Sequence, residues 1–190
     1  VPFNVPLFGD AGQTYDPFVY LGLLAANTNA IALGVASIIL PLRHPAHVAK
    51  AAASVDVLSG GRLILGIASG DRPEEYPALN TPFPERGERF RESFDYIRKM
   101  SAPTPAFDNS FGSTGAGMNM LSKPVGEKLP MLVTRSSQQS AEWIAENGDG
   151  WMLYPRADAS QTLVIAEWRE RIHAAIGASL VDRGEESPHG

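Results

Sequence analysis

The stretch Leu132-Val-Thr-Arg-Ser-Ser-Gln-Gln-Ser-Ala-Glu-Trp143 concentrates residues fit for chemistry. A short apolar run stops, hydroxyl and amide side chains follow, and helix-forming residues begin. A strand-to-helix junction of this kind offers backbone N–H groups and the positive end of a helix dipole, and both attract anions. Ser136, Ser137 and Ser140 add hydroxyl donors suited to a phosphate, and Arg135 adds charge. The same residues have a plainer use, because Ser136 or Ser137 can cap the helix with no ligand present.

Other candidates are sparser. Arg43 and His44 follow an apolar run, where either can meet a ligand or simply a carboxylate or a helix end. His44 and His47 stand three apart with no third ligand near them, so their spacing makes no metal motif. The sequence therefore points to no metal site. Asp71 and Glu75 can act as a catalytic pair, or can hold Arg72 or Arg86 in a loop salt bridge, the commoner use of such residues. The chain has no GxSxG, no Walker A and no GxGxxG after a strand, which removes support for nucleophilic-triad and nucleotide-hydrolase chemistry.

The elements that must position these residues are legible from pattern. Asp16-Pro17 predicts a helix start, running to about residue 26. Residues 31–40 form a continuous apolar run, as expected of a strand covered on both faces. His44-Pro45 opens a second helix, with Val48, Ala51, Ala52, Val55 and Leu58 on one face, and Ser59-Gly60-Gly61 ends it. Residues 62–68 read as a second buried strand, and the two strands with their helix make a parallel βαβ unit. A proline-rich loop spans 70–86, a helix follows over 86–99 with Phe90, Phe94 and Ile97 inward, and 101–128 shows no period. Strands at 129–134 and 150–154 and helices at 137–147 and 159–176 complete the pattern, the last with Ile165, Trp168, Ile172 and Ile176 inward. This α-β alternation predicts a parallel sheet with helices outside it, an α/β fold. Ligands in such sheets bind beyond the carboxyl ends of the strands. Here those ends carry Ala36, Ser37, Ser69, Gly70 and Asp71, with Gly70 leaving room that any side chain would fill.

Composition bounds the partners. The 190 residues suffice for a single domain over 1–190. A net charge of −5 argues against nucleic acid, which needs concentrated Lys and Arg. No run approaches the ~18 apolar residues of a membrane span, and no secretory pattern opens the chain. The absence of cysteine excludes disulfides and thiolate metal sites and fits a cytoplasmic location. The first residue is Val, and residues 1–3 read as the end of a strand, as expected of a piece of a longer chain.

The motifs together resemble a known family. Leu33-Gly-Val-Ala-Ser-Ile-Ile-Leu-Pro41, Arg43-His-Pro45, Ala49-Lys50, Ser54-Val-Asp56, Leu58-Ser-Gly-Gly-Arg62 and Gly66-Ile-Ala-Ser-Gly-Asp71 resemble the bacterial luciferase-like monooxygenases. Ser136-Ser-Gln-Gln-Ser-Ala-Glu-Trp143 and Asp149-Gly-Trp151 fit the same family, closest to its luciferase-type oxidoreductase branch. The resemblance covers about residues 1–156. It implies an eight-stranded β/α barrel of the TIM type, of which this chain would hold about strands three to six, with residues 179–182 a remnant of strand seven. It implies that Ser137 and Ser140 hold a flavin phosphate, with Thr134, Ser136 and Gln138 beside them. Ala36 and Ser37 would form a non-prolyl cis peptide behind the flavin ring, and Ser69 and Gly70 would lie beside that ring. The family's usual catalytic histidine would precede residue 1, leaving Arg43 and His44 as the candidates here.

The activity implied is a monooxygenase reaction on a small organic substrate, using O2 and FMN reduced by a separate flavin reductase, in a homodimer. A deazaflavin-dependent oxidoreductase and a non-catalytic flavin-binding protein or subunit are the alternatives on the same scaffold. The loops at 70–86 and 101–128 are candidate lids.

Overall fold

The apolar runs become four parallel strands, each followed along the chain by a helix. The computed structural model describes residues 15–115, 117–155 and 157–182; the strand end expected at residues 1–3 lies outside them. In chain order the elements are α1 (Pro17–Asn27), β1 (Leu33–Ile39), α2 (Pro45–Ser59), β2 (Leu63–Ala68), α3 (Arg86–Met100), β3 (Asp108–Asn109), β4 (Gly112–Ser113), β5 (Met131–Thr134), α4 (Ala141–Asn147), β6 (Gly150–Met152) and α5 (Asp158–Asp182). Asp16 caps α1 by accepting from the N–H groups of Phe18 and Val19. Gly60 ends α2 in the left-handed conformation (φ 70°), as its sequence position requires.

The main sheet is ordered β1-β2-β5-β6, all parallel. Leu33 pairs with Leu63, Leu65 with Met131, and Leu132 with Gly150. Each strand lies beside the next one in the chain, with only the small β3–β4 hairpin set apart. A doubly wound sheet reverses its order at a switch point; this one does not, and its single direction of growth is that of a partial β/α barrel. The hairpin lies in the segment that shows no sequence period, and the prolines of 70–86 set three short 3-10 turns.

Leu33, Ile38, Leu63, Leu65, Ile67, Met131 and Val133 pack against Val48, Ala52, Phe90, Phe94, Ile97 and Ile144 of the helices. The opposite sheet face departs from the sequence expectation. Gly34 and Ala36 are exposed and Ile64 is partly so, so β1 and β2 are covered on one face among the described residues. An unbroken apolar run signals burial, but the side chains on this face of β1 are too small to cover it. Gly66 is the exception, packed so closely that a Cβ there would meet Val35 O at 2.1 Å and the Met152 methyl at 2.5 Å.

Several boundaries also differ, with β5 starting at Met131 and β6 ending at Met152. β1 stops at Ile39, where a buried 3-10 turn (Leu40–Leu42) takes over, and Ile31 is exposed. On α5, Trp168 stacks on Trp151 with centroids 3.9 Å apart, and Val164 takes the inward place expected of Ile165. The backbone of α5 continues to Asp182, so 179–182 is helical and no strand remnant forms there. The helix expected to begin at 137 begins at Ala141, for reasons that belong to the site.

Charged side chains fasten the N-terminal ends of the strands. Arg62, just before β2, donates to Ser59 O (2.6 Å), Thr28 Oγ1 (2.9 Å), Ile31 O (2.8 Å), Ala25 O (3.2 Å) and Thr28 O (2.8 Å), tying the end of α1 to the sheet. Buried Asp56 accepts from Leu63 N and Val125 N, joining α2, β2 and the long loop. Asp149 accepts from Met131 N (2.8 Å) and pairs with Lys128 (2.6 Å) and Arg98. Partial burial opposes ionisation of Asp149, but the hydrogen bonds from Lys128, Arg98 and Met131 outweigh it and hold the carboxyl below its ordinary value. A depressed carboxyl contributes its stabilisation above the unfolded chain's carboxylate range, near pH 4, and loses it as the pH falls through the lower folded value. Asp149→Asn is expected to cost about 2–3 kcal/mol at pH 7, read from denaturant unfolding. The gap to the parent should narrow below about pH 4; an undiminished gap at pH 3 would contradict this assignment.

Candidate cofactor cleft

The C-terminal ends of the strands converge on a cleft of about 210 Å³. Ser37 and Ile39 of β1 form one wall, and Ala68 of β2 with Ser69, Gly70 and Asp71 forms the next. Thr134 at the end of β5, the residues 135–138 after it, and Tyr154 beyond β6 close it. Seven of the residues picked out from sequence for a cofactor, Ser37, Ser69, Gly70, Thr134, Ser136, Ser137 and Gln138, thus share one cleft. The Ala36–Ser37 peptide is cis, as the resemblance implies, and β1 shifts register beside it, between Val35 and Ile38. Leu121–Ser122 is a second non-prolyl cis peptide, and no motif marks it in the sequence.

The turn after β5 is the unusual part. Arg135 (φ 51°), Ser137 (φ 47°) and Gln138 (φ 63°) all lie in the left-handed region, with no glycine among them. Each such residue costs of order 1–2 kcal/mol, so surrounding bonds must hold it. Arg135 N donates to Met152 O (2.8 Å) and Arg135 O accepts from Trp151 Nε1 (2.8 Å), pinning the turn to β6. Ser137 Oγ donates to Thr134 O (2.8 Å), and Gln139 N donates to Ser136 O (2.8 Å). Among the described residues the N–H groups of Ser136, Ser137 and Gln138 meet no acceptor. Turns that include left-handed residues can gather successive N–H groups into an anion-binding concavity, and this turn leaves three successive N–H groups without an acceptor. Thr134 is 8% exposed, and its Oγ1 is buried with no hydrogen-bond partner among the described residues. A hydroxyl left this way costs about 1–3 kcal/mol.

This turn explains the late start of α4. Ser140 is its N-cap, with Oγ accepting from Trp143 N (3.2 Å). Neither Ser136 nor Ser137 caps it, because the left-handed backbone at 137 and 138 is incompatible with a helix. Ser140 therefore serves the helix and stands outside the cleft, facing a separate recess between α4 and α5 that Ser136 also borders. Ala36 likewise does not line the cleft.

Arg43 and His44 lie elsewhere, in a recess of about 400 Å³ between α1 and α2. Arg43 pairs with Asp16 at 2.8 Å, and partial burial of that carboxyl is outweighed by the Arg43 guanidinium, which lowers its pKa. His44 is the N-cap of α2. Its Nδ1 accepts from Ala46 N (3.2 Å), leaving Nε2–H for Phe111 O (3.2 Å), and its ring meets Tyr96 and Phe111 edge to face. The structural use of His44 is thus fully accounted for. Arg72 lies 3.9 Å from Glu75, the loop ion pair expected from sequence.

Sequence reasoning missed Tyr76. Fully buried beneath the cleft, it donates its hydroxyl to Ser69 O and meets Phe83 edge to face at 5.0 Å. Gly70 (φ 77°) sits above it, where a Cβ would meet Ile39 Cγ2 at 2.8 Å and Tyr76 Oη at 3.0 Å. A side chain at 70 therefore collides with the protein itself, and its effect on a ligand cannot be separated from that damage.

The chain belongs to the luciferase-like monooxygenase family, whose model matches residues 3–182. Among curated relatives, the F420-dependent hydroxymycolic acid dehydrogenase of Mycobacterium tuberculosis is 30% identical over 175 residues, 90% of this chain and 48% of that one. The monooxygenase RslO1 from Streptomyces bottropensis superposes with a TM-score of 0.74 at 25% identity, over 90% of this chain and 51% of that one. The oxygenating constituent of 3,6-diketocamphane monooxygenase from Pseudomonas putida, solved with FMN, shares the fold with a TM-score of 0.64 at 17% identity, over 90% of this chain and 49% of that one. The chain spans about half the length of the curated relatives it matches.

Burial pushes the Tyr76 phenol up to about 12, against the opposing charge of Arg86. Ultraviolet titration of the folded protein should show one phenol ionising only near pH 12 or on unfolding. Tyr76→Phe should remove that late component and lower stability by about 1–2 kcal/mol; loss of an ordinary phenol signal near pH 10 instead would contradict the burial.

Proposed function

We propose that the cleft binds the phosphorylated tail of a flavin-type cofactor, FMN or a deazaflavin coenzyme, and that the protein is a flavin-dependent oxidoreductase of the monooxygenase kind. The observation that carries this reading is the turn 135–138, left-handed at three residues, where the N–H groups of Ser136, Ser137 and Gln138 are unpaired among the described residues. Thr134 stands in the same wall, and its buried hydroxyl, without a partner among the described residues, would become a further donor once turned toward the cleft. These donors fit a dianionic phosphate, which accepts several short hydrogen bonds at once. The Ser137 hydroxyl is already bonded to Thr134 O, so Ser137 would serve through its backbone N–H.

In this reading the bound cofactor supplies the redox chemistry, and the chain supplies position. Ser37, Ala68 and Ser69 present small side chains where a flat ring system can lie across the strand ends. At about 210 Å³ the cleft is below the usual range for a site that encloses a whole small molecule, which suits the tail and one ring edge. FMN reduced by a separate reductase, with O2 and a small organic substrate, is the first form of the proposal. The family relative named for F420 favours the deazaflavin as the second.

Titration of the apoprotein with FMN, riboflavin and a deazaflavin coenzyme separates these readings. FMN should bind at least about tenfold tighter than riboflavin, a difference near 1.4 kcal/mol. Equal affinity would remove the phosphate contact. Thr134→Val should cut the FMN preference while leaving the free protein as stable as the parent or up to about 1 kcal/mol more so, because it deletes an unsatisfied hydroxyl. Unchanged FMN affinity would take Thr134 out of the site. Turnover with reduced FMN and O2 across a substrate panel would decide against a purely flavin-binding role.

A further inference from the structure

We infer that Gln139 and Arg91 form a positioning pair that sets the phosphate-binding shape of the turn from behind, an inference that rests on the proposed phosphate site. Gln139 is itself outside the cleft and 7% exposed. Its Oε1 accepts from both Arg91 Nε (3.0 Å) and Arg91 Nη2 (2.9 Å). Its Nε2 donates to Gly87 O (2.8 Å) and to Ser137 O (3.2 Å). One amide thus ties the backbone of left-handed Ser137 to two points on α3, with both its oxygen and its nitrogen in use. Gly87 is packed for this purpose, since a Cβ there would meet Gln138 Cβ at 2.8 Å.

The energetic logic follows from the backbone. A left-handed conformation at three non-glycine residues relaxes unless something holds it. On the β6 side, the bonds of Arg135 fix the start of the turn; on the α3 side, the Gln139 amide fixes its end. Between these two anchors lie the free N–H groups of Ser136, Ser137 and Gln138. Loss of the Gln139 anchor should let residues 137 and 138 return toward ordinary backbone angles and change the directions of those N–H groups. The planar guanidinium of Arg91 is suited to hold one amide oxygen with two parallel bonds, which a lysine ammonium cannot reproduce.

Gln139→Met keeps the size and apolar packing and removes all four bonds. Arg91→Lys, on an exposed helix position, is the milder variant and keeps the test open where Gln139→Met fails to fold. In fluorescence titrations of the full 190-residue chain, each folded variant should lose about tenfold in FMN affinity while riboflavin affinity stays within about twofold of the parent. A merely structural role would weaken both ligands together or neither, and either result overturns the inference. The parent protein distinguishes the two levels. If it prefers FMN but the variants keep that preference, the positioning role fails alone; if it shows no preference, the phosphate reading fails and takes the pair with it.

Discussion

The cleft depends on a run of backbone that would not hold its shape in isolation. Three of the four residues after β5 adopt the left-handed conformation without a glycine to ease it. The sheet supplies one brace through Met152 O and the Trp151 indole, and α3 supplies the other through the Gln139 amide. Everything proposed for the site, including the late start of α4 and the unpaired N–H groups, follows from that braced turn. Strain concentrated at a binding element and balanced by its surroundings is a recurrent arrangement in functional sites.

The two ends of the sheet divide the work between them. At the N-terminal ends, Arg62, Asp56 and Asp149 use nearly every donor or acceptor they possess on backbone groups and neighbouring charges. At the C-terminal ends, polar capacity is left over among the described residues: a hydroxyl with no partner and a series of free N–H groups. β/α barrels characteristically keep stability at one face and chemistry at the other. This chain keeps that division across its four strands.

Most of the framework was legible before the structure. Asp16-Pro17, His44-Pro45 and Gly60 mark helix ends by mechanisms that act locally, and each fell within a residue or two of its place. The apolar runs located the strands, and the motif order located the cleft, down to the cis peptide at Ala36. The turn itself was not legible. Left-handed backbone at Arg135, Ser137 and Gln138 leaves no trace in residue type, so the serines there read as helix caps. Gln139 was passed over because glutamine is usually a surface residue, and its value comes from Arg91 and Gly87, which lie about 50 positions away. Tyr76 was hidden in the same way, inside a loop that reads only as proline-rich. The exposed sheet face escaped notice because a run of small and apolar residues looks alike whether one side is covered or two.

The pairing distances along the chain carry a consequence for assembly. Leu132 meets Gly150 only 18 positions later, whereas Leu65 waits about 66 positions for Met131. Closing the longer segment costs roughly 1 kcal/mol more in chain entropy, and contacts distant in sequence form late. The β5–β6 unit, with Arg135 already tethered to Met152, is therefore the half of the cleft that can take shape early and by itself. The α3 brace closes about 50 positions and the β2 wall about 66, so the cleft should be completed by the β2 wall, after the β5–β6 unit and the brace have formed.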